Sequence, residues 1–206
     1  MKDPIKKSVT ALRRHQKFTT LMRRHGPPEL KRGGNVFKAL TRSIVYQQLS
    51  GKAAATIFKR FLGLFPKGKF PTPEQVQKVP FAKLRSVGLS GQKATYVLDL
   101  AKKFADGSIK HRKLSKMTND EVVEHLTQVK GIGEWTVHMF LIFTLNRPDV
   151  FPTGDLGVRK GFQKLYGLRS LPSPETMEKL AKPWREHATV ASWYLWKIVD
   201  TEEGDW

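Results

Sequence analysis

The residues with the clearest chemical potential lie between Val129 and Asp155. Two glycines, Gly131 and Gly133, are separated by one residue, and Asp155 stands further along at the start of another predicted helix. Glycine permits a tight turn and a close approach of the backbone to a ligand, and the first N–H groups of a helix have no partner within it. The turn is therefore typical of a phosphate-binding site, and Asp155 supplies one carboxylate downstream of it.

Helices are predicted on both sides of this turn. Apolar residues recur at helical spacing before and after it, at Val122, Leu126, Val129, Val137, Leu141 and Leu145. The link between the two runs is too short for a strand. The pattern predicts a helix-hairpin-helix at about residues 118–145. Thr118 or Asn119 would cap its first helix, with Glu121 in the first turn.

Helical periodicity dominates the rest of the chain, and alternating strand patterns are nearly missing. We therefore predict an all-α fold with about nine or ten helices. A basic first helix is expected over residues 5–24, ending before Gly26-Pro27-Pro28, and residues 110–113 are interpreted as a basic loop. The other helices are expected at residues 37–49, 53–65, 91–104, 135–145, 156–166, 174–182 and 187–198, with a short helix after the Pro-flanked turn 70–73.

The composition indicates a polyanionic partner. The chain of 206 residues carries 37 Lys and Arg against 18 Asp and Glu, a formal charge of +19 and a pI near 10.2. Such a charge attracts nucleic acid over long range. Ribosomal, histone-like and membrane-surface proteins are basic too, so charge alone does not name the class. A hydrophobic content of 39% is enough for a core in one domain or two small lobes.

The sequence contains no cysteine, which excludes disulfides, thiol nucleophiles and cysteine-bound iron–sulfur clusters. Its six histidines show no zinc spacing, and Glu134 with His138 is typical of an exposed i,i+4 pair. We predict no cofactor and no catalytic metal. The N-terminal residues lack the apolar run of a signal peptide, and no segment is long enough to span a bilayer. We therefore expect a soluble, intracellular protein without a membrane partner.

Further motifs accompany the hairpin in a fixed order: Tyr46-Gln47-Gln48-Leu49-Ser50, Val87-Gly88-Leu89-Ser90, Phe151-Pro152-Thr153-Gly154-Asp155-Leu156-Gly157-Val158-Arg159-Lys160, and Lys182-Pro183-Trp184-Arg185 followed by Ala191-Ser192-Trp193-Tyr194-Leu195-Trp196. Over roughly residues 34–199 the chain resembles the helix-hairpin-helix DNA glycosylases, and within them the monofunctional 3-methyladenine (alkylpurine) glycosylases. The resemblance implies two lobes with a central cleft. It is to the compact form, without the extra N-terminal domain of larger bacterial members.

This resemblance suggests a division of the chain into three parts. A basic helical segment, residues 1–33, would pack with the C-terminal lobe. The glycosylase core would cover residues 34–199, and residues 200–206 would form a short acidic tail. Four arginines of the first segment either contact phosphate or form a solvated helix face: Arg13, Arg14, Arg23 and Arg24.

Asp155 has two possible roles. From the residues alone it is a good N-cap for the helix that follows. The catalytic aspartate of the family lies at the matching place, so the resemblance implies that Asp155 is also catalytic. Breaking an N-glycosidic bond leaves positive charge on the sugar, and a fixed carboxylate stabilises that charge or aligns the attacking water.

Trp135 stands two residues after Gly133, where bifunctional members of the superfamily place a lysine that attacks the sugar. The resemblance therefore implies a monofunctional enzyme that leaves an abasic site and has no AP lyase activity. Trp135 and Trp193 match positions at the base pocket, to which we add Tyr46, whereas Trp184 is interpreted as structural. Trp135 and Trp193 each have an alternative place in the core. A methylated purine is cationic, so aromatic rings would bind it by stacking and cation–π attraction.

Base flipping leaves a gap in the duplex that the protein must fill. By resemblance, Leu49 together with Gln48 would insert there. The turn that ends at Ser90 would press on the opposite strand, and the sequence does not decide which of the two turns is the main wedge. A place for Leu49 in the core at the end of a helix is the alternative. The resemblance and the glycine turn together assign phosphate contacts to Lys130, Gly131, Ile132 and Gly133. The hairpin carbonyls would also suit a monovalent cation.

The expected function is excision of 3-methyladenine and 7-methylguanine from double-stranded DNA by a monomeric enzyme. We expect it in the nucleus of a eukaryote or in the cytoplasm and nucleoid of a prokaryote. One alternative is a non-catalytic protein that binds lesions or abasic sites, against which Asp155 and the tryptophans argue. Another is a glycosylase for uracil or mismatched thymine, which would need more polar contacts to a neutral base than the sequence offers.

Overall fold

The computed structural model describes residues 4–30, 33–66 and 69–203, and side chains as far as residue 200. These residues form twelve α-helices and two 3-10 helices, with no strand among them, so the predicted all-α fold is confirmed. Within the same ranges, no helix combines the length and the apolar character needed to cross a membrane. Parts of the predicted N-terminal segment (residues 1–3 and 31–32) and of the acidic tail (residues 204–206) lie outside the described residues.

In chain order the helices are α1 (Pro4–Leu12), α2 (Gln16–His25), α3 (Val36–Tyr46), α4 (Gly51–Leu62), α5 (Pro73–Gln77), α6 (Phe81–Ser86), α7 (Gly91–Ala105), a 3-10 helix (His111–Lys116), α8 (Asn119–Thr127), α9 (Glu134–Phe143), α10 (Leu156–Tyr166), α11 (Pro174–Ala181), a second 3-10 helix (Lys182–His187) and α12 (Ala188–Glu203). They belong to two compact units. One unit is residues 34–140, and the other combines residues up to Gly33 with those from Leu141 onward.

The unit of residues 34–140 is organised around α7. This helix packs against α3, α5 and α6, and α4 packs on α3. Its core consists of fully buried side chains from successive helices, including Leu40, Ile44, Phe61, Leu84, Val97, Leu100 and Leu126. α7 therefore packs against α3, whose C-terminal end precedes the predicted wedge turn.

The other unit is organised around α12, which packs against α10, α2, α1 and the second 3-10 helix. Trp184 is buried in its core, with its ring edge-to-face against Phe18 at 5.5 Å and Phe151 at 5.2 Å. The indole Nε1 of Trp184 donates a hydrogen bond to the hydroxyl of Tyr166 at 2.9 Å. Trp184 is thus a core residue whose polar atom is satisfied.

The predicted single helix over residues 5–24 is wrong, because the chain forms α1 and α2 with a break between them. Leu12 and Phe18 are both fully buried in the same core. Six residues apart, they would lie on different faces of one straight helix, so the chain must turn to bury both. His15 has an extended backbone at this break. α6 was not predicted from the sequence, and the predicted basic loop at 110–113 is largely the first 3-10 helix.

Three histidines should make the protein less stable in mild acid. Burial, together with nearby cations, lowers the pKa of His25, of His125 and of His187. His125 Nε2 accepts a hydrogen bond from the Lys110 backbone N–H at 2.8 Å, which requires the neutral ring. The unfolded chain therefore binds more protons than the folded one below about pH 6.5, and stability falls as the pH falls.

We expect the thermal midpoint to decrease between about pH 7.5 and about pH 5, above the range in which carboxylates titrate. Calorimetry on the wild type and on His125→Gln checks this, because glutamine still accepts a hydrogen bond but takes up no proton. The variant should show the smaller decrease. An equal decrease in both proteins would contradict a contribution from His125.

Candidate functional site

The hairpin lies between α8 and α9. Thr118, not Asn119, caps α8: its side chain accepts from the Glu121 N–H, and the Glu121 carboxylate accepts from the Thr118 N–H at 2.6 Å. In the turn, Lys130 and Gly133 are exposed, whereas the side chain of Ile132 is buried. Ile132 can therefore offer a ligand only its backbone.

The conformation of the hairpin depends on Gly131. Its φ is +79°, in the left-handed region, and a Cβ at this position would lie 2.0 Å from the Tyr96 ring of α7. The next contact on α7 is Asp99, whose carboxylate accepts from the Lys130 N–H at 2.9 Å and pairs with Lys103 at 2.8 Å. Burial raises the pKa of Asp99, but these hydrogen bonds outweigh it and the net shift is downward. Asp99 thus accepts as a carboxylate.

Gly131→Ala should therefore distort the hairpin and weaken duplex binding. We expect a loss of about 1–3 kcal/mol in stability from the clash and the left-handed φ, and a weaker affinity for duplex DNA that is measured by fluorescence anisotropy. Gly133→Ala is the matched control for stability, because its Cβ would meet nothing within 4 Å. Wild-type stability and affinity in Gly131→Ala would contradict this role for Gly131.

The unit of residues 34–140 contains a cleft of about 590 Å³ beside the hairpin. Five residues selected from the sequence line it: Tyr46, Gln48, Ser90, Gly131 and Trp135. The side chain of Trp135 is 52% exposed, so the alternative that places it in the core is wrong. The structure thus brings residues from three separate motifs to one cavity.

The cleft is also lined by two cationic residues that were not predicted from the sequence. The Arg42 guanidinium lies 3.8 Å from the centroid of the Tyr46 ring, and Lys93 lies at the start of α7. Arg42 covers one face of Tyr46, so any base that reaches this ring must use the other face or its edge. Neither cation belongs to a recognisable motif, and a charged residue on a helix is usually solvated, so neither could be predicted from the sequence.

The predicted wedge turn follows α3, which ends at Tyr46 rather than at the predicted residue 49. Gln48 has a φ of +53°, and Leu49 is 40% exposed. The alternative that places Leu49 in the core is therefore wrong. Ser50 caps α4 by accepting from the Ala53 N–H at 3.4 Å, and Ser90 likewise caps α7 by accepting from the Lys93 N–H at 3.2 Å.

Asp155 lies in the other unit, as the N-cap of α10. Its Oδ1 accepts two hydrogen bonds, from the Val158 N–H at 2.8 Å and from Trp196 Nε1 at 2.9 Å. The Trp196 ring is stacked on Phe143, 5.9 Å between centroids. Gly157 permits this arrangement, because a Cβ there would lie 2.9 Å from Trp196 Cδ1. The carboxylate is thus held in one orientation, and it is half-buried.

A family model for the HhH-GPD superfamily of base excision DNA repair proteins matches residues 41–186. The chain belongs to this superfamily. Within it, this HhH-GPD protein is 40% identical over 162 residues to DNA-3-methyladenine glycosylase 1 of Schizosaccharomyces pombe, over 78% of this chain and 71% of that relative. The resemblance to 3-methyladenine glycosylases that the motifs indicated is therefore confirmed.

Solved structures of two relatives share the fold. A Schizosaccharomyces pombe 3-methyladenine DNA glycosylase in complex with abasic DNA matches with a TM-score of 0.80 and 35% identity, over 93% of this chain and 95% of that one. A DNA-3-methyladenine glycosidase from Bacillus halodurans matches with a TM-score of 0.86 and 33% identity, over 98% of this chain and 92% of that one.

In this HhH-GPD chain the two tryptophans of the last motif have different surroundings. Trp193, which the sequence analysis assigned to the base pocket, is half-buried, edge-to-face with Tyr194 and 5.6 Å from the Lys197 ammonium. Trp196, one helical turn later, contacts Asp155 instead. The role of Trp196 could not be predicted from the sequence, because Trp193 and Trp196 are one helical turn apart and both fit the inward face of a helix. Gly157, two residues after Asp155, leaves room for a large side chain beside the carboxylate, and this was the feature of the sequence that could have indicated such a partner.

Proposed function

We propose that this protein is a DNA glycosylase that removes alkylated purines, among them 3-methyladenine and 7-methylguanine, and leaves an abasic site for base excision repair. The single observation that carries the proposal is the environment of Asp155. A carboxylate whose Oδ1 accepts from both Val158 and Trp196 is fixed in place before substrate arrives. Such preorganisation is what an enzyme needs to stabilise charge that appears only in the transition state.

DNA would be held by the hairpin. The exposed backbone at Gly133 and the exposed Lys130 can contact phosphate, and the positive end of the α9 dipole favours an anion beside them. The formal charge of +19 supports a strongly salt-dependent attraction to the duplex. Double-stranded DNA is thus the partner we propose, bound by a monomer in the compartment that holds the genome.

The target base would leave the stack while Leu49 and Gln48 fill the gap and Ser90 presses on the opposite strand. The exposed Leu49 suits this role, because its apolar side chain is accessible to the bases without any rearrangement of the core. Trp135 and Tyr46 line the cleft and offer aromatic surface to a cationic base, and we retain Trp193 as a third pocket residue.

In the chemical step, the bond between the sugar C1′ and the purine nitrogen breaks and its electron pair leaves with the base. A methylated purine is already cationic, so it departs as a neutral base and needs no proton. The sugar is left with positive charge, which the Asp155 carboxylate stabilises. Water then adds to C1′ and releases a proton, which gives the abasic sugar.

Release of methylated bases tests this function. The protein is incubated with duplex DNA carrying radiolabelled methyl groups, and the released bases are separated by chromatography. We expect 3-methyladenine and 7-methylguanine in the soluble fraction. Tight, salt-sensitive duplex binding without any release would instead support the alternative, a non-catalytic protein that binds lesions or abasic sites.

The absence of AP lyase activity is a separate part of the proposal. Trp135 occupies the place of the nucleophilic lysine, and the Lys93 ammonium in the cleft donates to two carbonyls, Val45 at 2.8 Å and Gln47 at 2.6 Å. Both carbonyl oxygens favour the ammonium form of Lys93, which has no lone pair with which to attack the sugar C1′. Borohydride added during turnover should therefore trap no covalent protein–DNA adduct, whereas a bifunctional glycosylase run alongside should give one. A trapped adduct would contradict the monofunctional assignment.

A further inference from the structure

One face of α7 contacts both of the turns proposed to bind DNA. Lys93, Tyr96 and Asp99 are spaced three residues apart, so they lie along the same side of the helix. Lys93 contacts the turn after α3, Tyr96 packs against Gly131 of the hairpin, and Asp99 accepts from the Lys130 N–H. The two turns are therefore positioned by a single rigid element.

Lys93 contacts the turn after α3 through two hydrogen bonds. Its ammonium donates to the carbonyl oxygens of Val45 and Gln47, which lie at the C-terminal end of α3. Helix carbonyls at this end lack partners within the helix and carry the negative end of its dipole, so a cation is favoured there. Burial lowers the pKa of Lys93, and the carbonyl oxygens of Val45 and Gln47 partly compensate the ammonium for the water it loses.

The turn that Lys93 holds is strained. Gln48 has a φ of +53°, a region that non-glycine residues seldom adopt and that persists only where the surroundings enforce it. The preceding residue, Gln47, is fixed at both ends: its carbonyl accepts from Lys93, and its side-chain Nε2 donates to the Gly131 carbonyl at 2.7 Å. The exposed Leu49 follows directly. The position of Leu49 is thus set through Gln47 by α7 and the hairpin together.

We propose that Lys93 is a positioning residue that holds the Gln47–Leu49 turn in its strained conformation, linked to the hairpin, so that Leu49 enters the duplex while the hairpin grips phosphate. This proposal rests on the proposed function. Removing the Lys93 ammonium would leave two helix-end carbonyls without their donor and would release the turn. Insertion into a base stack would then slow down, whereas reactions that need no insertion would suffer less.

The test compares duplex and single-stranded methylated DNA in single-turnover experiments. Lys93→Met keeps the aliphatic stem and loses the ammonium, and the ratio of the duplex rate to the single-strand rate should fall about tenfold. Gln47→Leu cuts the link to Gly131 and should lower the same ratio. In the double variant the losses should not add, since both act on one turn. Lys102→Met removes a charge from an exposed position of α7 and should keep the wild-type ratio.

A second readout does not depend on catalysis. A duplex with 2-aminopurine next to a tetrahydrofuran abasic analogue becomes fluorescent when the stack is opened, and Lys93→Met should slow or reduce that signal. Equal fractional losses on duplex and single strand, with an unchanged fluorescence signal, would overturn the proposal. If the wild type opens the stack but releases no base, the glycosylase function fails and the fluorescence comparison still decides the role of Lys93. If Lys93→Met does not fold, Gln47→Leu carries the same comparison.

Discussion

Asp155→Asn is expected to slow the release of methylated bases by about 10²–10³-fold while leaving the fold intact. Asparagine has the same shape, accepts hydrogen bonds through its Oδ1, and is as good an N-cap as aspartate. It can therefore keep the bonds from Val158 and Trp196 to Oδ1. What it loses is the negative charge that stabilises the developing cation on the sugar. Single-turnover rates on methylated duplex, with circular dichroism melts, measure both effects.

Asp155→Ala separates the two roles of this residue. Alanine removes the charge and the cap together, so activity should be lost and stability should fall by about 1 kcal/mol as well. The Asn variant should bind duplex as tightly as the wild type. If it retains more than about one tenth of the wild-type rate, the charge is dispensable and Asp155 is only a cap for α10.

Gly161→Ala is expected to destabilise the protein by about 3 kcal/mol or more and to lower the thermal midpoint by roughly 6–12 °C. Gly161 is buried on α10, and a Cβ there would lie 2.1 Å from the carbonyl oxygen of Leu195 on α12. This contact is to backbone, so no side-chain rotation relieves it. α10 would have to separate from α12, and the contact between Asp155 and Trp196 spans the same two helices.

Helix propensity alone predicts the opposite sign, because alanine usually stabilises a helix by about 1 kcal/mol relative to glycine. Gly91→Ala is the matched control: it is the first residue of α7, and its Cβ would meet nothing within 4 Å. It should be neutral or slightly stabilising. A Gly161→Ala protein that melts at or above the wild-type midpoint in calorimetry would show that α10 and α12 are not packed as described.

Local signals in the sequence were sufficient where a short segment determines its own structure. The predicted range of α10 agrees with the structure, since Asp155 provides a side-chain cap and Gly167 ends the helix in the left-handed region. The capping box at Thr118 and Glu121 fixed the start of α8 in the same way. The prediction of a single N-terminal helix failed because the break is needed to bury both Leu12 and Phe18 in one core. That core is formed largely by residues distant in the chain.

The candidate site shows the same division. Motif positions identified Asp155, Trp135 and the hairpin glycines. They did not identify Trp196, which donates to Asp155 from 41 positions along the chain, nor Arg42, which covers a face of Tyr46. Supporting residues of this kind have no fixed spacing from the residues they hold. A tryptophan on the apolar face of a helix is usually a core residue, and a cation on a helix is usually solvated, so neither residue type points to a site.

The sequence by itself determined that the protein is all-α, strongly basic and built around a helix-hairpin-helix with one carboxylate downstream, because charge, periodicity, capping and glycine turns are local or additive properties. Only the tertiary structure decided which groups hold that carboxylate and those turns. Gly157 and Gly161 let α12 approach α10, and Lys93 and Tyr96 fix the wedge turn and the hairpin from α7. Such contacts arise between segments distant in the chain, where close packing selects the partners.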